Sequence, residues 1–158
     1  MDEAMRRKIV SLLDAHRKMT IATIRADGWP QATTVGYANE GLTIWFLCGK
    51  ASQKAANLAR DSRVSITIDD DVDQVMNIAG LSMAARARRV VDSGETEKAL
   101  RLLPERYPPQ EDVTLALPTP ADVAIFRVTP TVISVLDYAK GFAHTDLVRC
   151  QPQEAVAA

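Results

Sequence analysis

The run Gly49-Lys50-Ala51-Ser52-Gln53-Lys54 places a glycine, two lysines and a helix-capping hydroxyl between a strand pattern and a helix pattern. The first backbone N–H groups of a helix have no intrahelical acceptor, and the peptide dipoles leave partial positive charge there. Those amides, the Ser52 hydroxyl and the Lys54 ammonium would converge on one anion, for which a phosphate is the natural occupant. The same residues also suit an ordinary capped helix with two exposed lysines. Thr33, Thr34 and Tyr37 cluster on a neighbouring strand pattern. Their hydroxyls either donate to a ring system lying across the sheet or are routine strand composition.

A second concentration of chemistry follows the last apolar strand: Asp137, Tyr138, Lys140, Phe142, His144 and Asp146. One reading is a loop over a flat ligand, with Tyr138 or Phe142 stacking and Lys140 or His144 offering charge. The other is a loop packed on its own barrel. His144 and Asp146 lack the helical i, i+4 spacing of a metal pair and have no third ligand, so no metal site is expected. No strand-to-helix nucleophile elbow is present, which argues against a catalytic triad. Asp69-Asp70-Asp71 lacks the glycine and distal glutamate of a calcium loop and reads as a solvated turn. His16 falls near the end of a helix, where the dipole mildly favours its protonated form.

These residues need a scaffold, and the chain supplies strand patterns with short helices between them. Asp2–Arg17 is amphipathic, with Met5, Ile9, Leu12, Leu13 and His16 at helical spacing. Met19–Arg25, Gln31–Tyr37 and Leu42–Cys48 read as strands joined by turns at Ala26-Asp27-Gly28 and Asn39-Glu40-Gly41, an antiparallel meander. Ser52 caps a helix over Gln53–Arg60, and Arg63–Ile68 is a fourth strand. Gln74–Gly80 and Leu81–Val91 read as a long strand or a bent pair, with a bulge or bend at Gly80. On that strand Arg86 and Arg88 share a face, solvated or turned to a partner subunit. Ser93 caps a helix over Glu95–Arg106, which Pro108-Pro109 ends. After a loop at Thr119-Pro120, Val123–Val128 pairs with Thr131–Leu136, and a frayed tail begins near Gln151.

At 158 residues, with 47% apolar and 25% charged residues, the chain fits one globular domain. Its net charge of −1 gives no footprint for nucleic acid or an anionic membrane. Cys48 and Cys150 have neither metal-ligand spacing nor a disulfide-rich context, and no apolar run could be a signal peptide or membrane span. A soluble, cytoplasmic protein is expected. No dinucleotide-binding glycine pattern, phosphate-binding Walker loop or strand–helix alternation appears, so an antiparallel barrel is the economical way to remove strand edges.

Four stretches carry a resemblance: Ala22 to Pro30; Trp45 to Lys54 with Asn57-Leu58; Arg63 to Ile66; and Gln74-Val75-Met76. Together they resemble the pyridoxamine 5′-phosphate oxidase-like superfamily of FMN-binding split barrels, from about Met19 to Val148. The resemblance implies a mainly β fold, a six-stranded antiparallel Greek-key split barrel with small helices. It would occupy residues 1–150 as one domain, with a flexible tail over 151–158. The flavin phosphate would sit at Ser52, Gln53 and Lys54. The isoalloxazine would lie against Thr33, Thr34 and Val35, with Leu47, Cys48 and Gly49 lining the next strand. Gln74 matches a glutamine that reaches the flavin from the neighbouring subunit. The segment from Tyr138 through Lys140 and Phe142 to His144 would cover the cofactor across a homodimer interface, with His144 the candidate catalytic group.

Two departures from the family pattern stand out. Gln53 replaces an arginine beside the phosphate-binding lysine, removing a bidentate clamp. Phe142-Ala143-His144-Thr145-Asp146 replaces an Arg-Leu-His-Asp-Arg stretch that holds the vitamin phosphate, so oxidation of pyridoxamine phosphate itself is not expected. The implied function is an FMN-dependent oxidoreductase acting on a small molecule. The alternatives are a non-catalytic flavin carrier or redox sensor, or a same-fold protein for the deazaflavin F420 or for heme. Arg86, Arg88 and Arg89 would offer basic surface to a deazaflavin tail.

Overall fold

Alternation of apolar and polar side chains makes a strand one-sided, and it shapes most of this chain. The computed structural model describes residues 1–107 and 119–151. Its elements are α1 (Glu3–Ala15), β1 (Lys18–Ile24), β2 (Pro30–Glu40), β3 (Thr43–Gly49), α2 (Gln53–Arg60), β4 (Arg63–Asp69), β5 (Ala79–Arg89), α3 (Ser93–Glu105), β6 (Val123–Asp137) and β7 (Thr145–Arg149). All strands join one sheet in the order β3-β2-β1-β4-β5-β6-β7, and β3 also pairs with β6. That extra pairing closes β1 to β6 into a six-stranded antiparallel barrel, with β7 attached outside the ring. The order β3-β2-β1-β4 is a Greek key, as the resemblance implies.

Two long strands change partner along their length. Pro30–Gly36 of β2 pairs with β1, whereas Tyr37–Glu40 pairs with β3. In β6, Val123–Val128 closes the barrel against β3, and Val132–Leu136 pairs with β7. The two segments expected to pair with each other, Val123–Val128 and Thr131–Leu136, are therefore one continuous strand. Pro130 does not break it because the register slips there: Ala84 faces Val132 and Ala85 faces Pro130, leaving Thr131 as an extra residue. A bulge tolerates a residue that cannot donate to the ladder. The Thr131 hydroxyl donates to the Ala84 carbonyl at 3.0 Å and steadies it.

Three other boundaries differ from expectation. Gln74–Ile78 forms a 3₁₀ turn over Val75–Asn77 instead of a strand, so β5 begins at Ala79. Thr145–Arg149, read as part of a loop, is β7. Asp92, not Ser93, caps α3, its carboxylate accepting the Glu95 amide at 2.8 Å. Gly80 is close to a neighbouring backbone and is not the bulge: a Cβ there would stand 2.7 Å from the Ile68 carbonyl oxygen. Pro108-Pro109 and the tail over 152–158 lie outside the described residues.

Inside the ring, Ile21, Phe46, Ile66, Met83, Phe126 and Ile133 form the core, and Ile9 and Leu13 of α1 are buried with it. Phe46 stacks on Phe126 with centroids 5.4 Å apart. Outside the ring, α3 covers Trp45, Val123 and Ile125 with Ala99. The end of α1 is tied down by polar groups. Tyr37 donates its hydroxyl to the Leu13 carbonyl at 2.7 Å, and burial pushes that phenol's pKa up. The Arg106 guanidinium donates to the Leu13, Asp14 and His16 carbonyls, satisfying acceptors a helix end leaves open. Among the described residues, no helix is long and apolar enough to cross a membrane.

Candidate cofactor site

At the end of β3 the chain turns through Lys50 and Ala51 into α2. The Ser52 amide donates to the Gly49 carbonyl at 3.0 Å, and the Ser52 hydroxyl oxygen accepts the Ala55 amide at 3.2 Å. Ser52 is thus the N-cap that the sequence indicated. The next two amides, of Gln53 and Lys54, have no acceptor among the described residues, as the geometry of a helix start requires.

Lys54 lies half-buried beside this terminus, its ammonium 6.0 Å from the centre of the Phe46 ring. No carboxylate pairs with it among the described residues. Burial lowers its pKa below the ordinary lysine value, and proximity to Cys48 opposes that shift. A cation held away from water without a counter-charge is costly unless a ligand provides one.

Gln53 is committed elsewhere. Its amide donates to Asn57 Oδ1 at 3.0 Å, and the fully buried Asn57 donates to Thr23 Oγ1 at 2.9 Å and to Gln31 Oε1 at 3.2 Å. The side chain that stands where the family pattern has arginine is thus taken up within α2 by Asn57, and Asn57 ties α2 to β1 and β2. Neither Gln31 nor Thr23 was a candidate from sequence. The available signal was Asn57 itself, an unfavourable residue for a helix interior unless its amide is used.

The pleat divides the predicted ring-binding strand. Thr33 and Val35 share the half-buried face with Gln31, while Thr34 points to the exposed side. Thr33 Oγ1 is buried without a hydrogen-bond partner. On the opposite face, Gly36 allows Tyr107 to lie against β2; a Cβ there would be 2.3 Å from the Tyr107 hydroxyl. Likewise Cys48 packs on the barrel core and Leu47 on the cluster beneath α3. Thr33, Thr34 and Val35 do not form one wall, nor do Leu47 and Cys48, because successive strand residues face opposite ways.

The remaining predicted residues gather at the far end of β6. Its 15 residues span on the order of 45 Å at about 3.3 Å per residue. Tyr138–Lys140 forms a 3₁₀ turn, and Tyr138 meets the Phe142 ring edge-on at 5.6 Å. Lys140 Nζ lies 2.9 Å and His144 Nε2 3.2 Å from the Asp146 carboxylate. The Lys140 ammonium, and after it the His144 ring, hold the Asp146 carboxyl below its ordinary pKa. Gln74, exposed, accepts from Asn77 at 3.2 Å, and its turn meets this one where the Tyr138 amide donates to the Ile78 carbonyl at 3.0 Å. Within one chain, Gln74, Tyr138, Lys140, Phe142 and His144 therefore sit at the end of β6 opposite to the one that pairs with Cys48 and Gly49 and leads to Ser52, Gln53 and Lys54.

The donor set at α2 suits a phosphate: two open amides, a hydroxyl and an uncompensated ammonium, and on the Gln31 face of β2 the Thr33 hydroxyl is a further unpartnered donor. No curated protein matches the chain. Solved structures do. A conserved hypothetical protein of Mycobacterium tuberculosis aligns with a TM-score of 0.71 and 28% identity, covering 92% of this chain and 91% of that one. A candidate pyridoxamine 5′-phosphate oxidase of Listeria innocua gives 0.68 at 20% identity, covering 84% and 98%. A heme binding protein of Mycobacterium smegmatis gives 0.67 at 19% identity, covering 95% of this chain and 57% of that one. At those identities the last two are similar in fold. Residues 5–137 match the family model for pyridoxamine 5′-phosphate oxidase, and the chain belongs to the pyridoxamine 5′-phosphate oxidase-like family.

Proposed function

We propose that this protein binds FMN and acts, as a homodimer, as a flavin-dependent oxidoreductase on a small molecule. The observation that carries the reading is Lys54, a half-buried ammonium without a carboxylate beside the open amides of α2. Ser52, Lys54 and those amides would hold the phosphate, and Thr33 would donate to the ring system. The flavin, when bound, supplies the hydride chemistry, and the protein supplies position and shielding from water. Gln53 leaves the phosphate without a guanidinium clamp, so affinity rests on Lys54 and the backbone.

The dimer enters because the two groups of predicted residues lie at opposite ends of β6. A second chain would bring Gln74, Tyr138, Phe142 and His144 to the flavin. Val75, Met76, Phe142 and Leu147 form an exposed apolar set at that end, with Phe142 76% exposed. Such a set is suited to burial against another copy.

A non-catalytic flavin carrier is the second reading, favoured by the pairing of His144 with Asp146 far from Lys54 in the same chain. Flavin reduction by substrate faster than that of free FMN supports the enzyme; equal rates support the carrier.

Titration with FMN and riboflavin, followed by flavin fluorescence, tests the site. Saturable FMN binding at least about tenfold tighter than riboflavin, reduced to the riboflavin level by Lys54→Ala, is expected. No uptake of FMN by the folded protein would overturn the reading, and parallel titrations with F420 and hemin would then identify the occupant.

A further inference from the structure

The strand register sets the composition of the outer face of β4, β5, β6 and β7. Ser65 stands opposite Ala84, and Ala84 opposite Val132. One pleat further along, Thr67, Ser82, Ser134 and Leu147 stand in line. The helices bury their apolar residues elsewhere, Ile9, Leu13 and Leu58 in the barrel core and Ala99 against Trp45. Ser65, Thr67 and Ala84 are therefore exposed, Val132 is half-buried, and Leu147 is 65% exposed. Side chains this small let a second sheet approach to the usual spacing of about 10 Å.

The two ends of the face carry opposite charge. At one end Arg63 stands directly opposite Arg86, and like charges in that position repel. Arg63 is held by Asp61, its Nη2 2.6 Å from the carboxylate. Arg86 reaches only the Ser62 hydroxyl, at 3.2 Å, and has no carboxylate among the described residues. At the other end Asp69 stands opposite Gly80, exposed and without an ion pair among the described residues. Arg86 and Gly80 lie about 20 Å apart along β5 at about 3.3 Å per residue. Arg86 and Asp69 of one chain therefore cannot meet. A partner of one charge sign would satisfy one end of the face; a second copy of the chain satisfies both.

We infer that two copies pair through this face, sheet against sheet, with Arg86 of each meeting Asp69 of the partner subunit. A two-fold axis standing between β4 and β5 lays the rows of small residues over each other and exchanges the charged ends. The same exchange suits a shared cofactor site. Gln74 follows the Asp69 end of β4, and Phe142 follows that end of β6. Trp29, 71% exposed in the turn joining Ile24 to Pro30, and α2 lie at the Arg86 end. Each copy thus turns Gln74 and Phe142 toward the other's Trp29 and α2. The inference rests on the homodimer proposed above and does not need the flavin.

Sedimentation velocity of the full chain without added flavin tests it, with Arg86→Asp, Asp69→Arg and the double variant. Both positions are exposed, and circular dichroism checks each fold. Arg86→Asp also removes the like-charge pair with Arg63, so the chain itself should be no less stable. Each single reversal creates two repulsive contacts across a two-fold interface and should raise the dimer dissociation constant at least about tenfold. The double variant should return to within about threefold of the wild type, a restoration that cannot arise inside one chain. Should a variant fail to fold, added salt must loosen the wild-type dimer, and a dimer indifferent to salt overturns the pairing. A dimer that ignores both reversals, or a double variant no tighter than the singles, overturns this interface and leaves the homodimer standing. A wild type that stays monomeric overturns both. Dimerisation restored by the charge exchange, in a protein that takes up no FMN, upholds the interface and refutes the flavin.

Discussion

Asn57 donates its side-chain amide to Thr23 Oγ1 at 2.9 Å, joining α2 to β1 at a point with no solvent exposure. The same amide reaches Gln31, and Gln53 donates back to Asn57. This network decides where the helix start, and hence the anion-binding amides, stands relative to β2.

Asn57→Ala would leave the Thr23, Gln31 and Gln53 side chains short of partners. Buried groups stripped of a partner cost about 1–3 kcal/mol, and a chain of this size loses roughly 2–4 °C of melting temperature per kcal/mol. Differential scanning calorimetry should show a fall on the order of 5 °C, with FMN binding weakened as α2 loosens. An unchanged melting temperature would mean the network does not anchor the helix.

Gly80→Ala places a methyl group 2.7 Å from the Ile68 carbonyl oxygen and 3.1 Å from the Asp69 Cβ. Both neighbours belong to β4, paired along its length, so neither yields cheaply. The expected loss is about 1–3 kcal/mol by denaturant titration. Gly49→Ala is the control. Nothing lies within 4 Å of the point where its methyl group would stand, and its stability should match the wild type.

Lys54 links stability to ligand binding in opposite directions. Burial lowers its pKa in the folded chain, so the protonated side chain favours the unfolded state. That penalty is fully present below the lowered folded-state pKa and vanishes as pH rises through the unfolded lysine value of about 10.4. Flavin-free Lys54→Met should therefore melt higher than the wild type at pH 7, with the gap closing above about pH 10. The same variant should bind FMN more weakly. A lower melting temperature at pH 7 would show that Lys54 already has a compensating partner.

Phe142 and Met76 test the homodimer. A carboxylate at either exposed position leaves one chain's core untouched but cannot be buried against another copy without a partner. Phe142→Asp and Met76→Asp should each shift sedimentation from dimer to monomer and weaken flavin binding in step. A dimer that survives both changes would place the interface elsewhere.

Much of this protein is decided by short-range chemistry that a sequence displays. Alternating Met19, Ile21 and Thr23, the turn at Gly28, and Ser52 before an apolar-sided helix each follow from local backbone and capping preferences. The succession of strands, the helix cap and the lysine beside it were legible for that reason. Pairing across the sheet was less so. Only the closed barrel shows that Pro130 sits at a bulge, making β6 one strand, because a proline is acceptable wherever a neighbouring strand asks for no amide. Only the pleat separates Thr33 from Thr34 and Cys48 from Leu47. The ties of Asn57 to Thr23 and Gln31, and with them the commitment of Gln53 to Asn57, depend on which face of α2 meets the barrel. Such contacts are set by how α2 docks, a packing outcome that no local preference specifies.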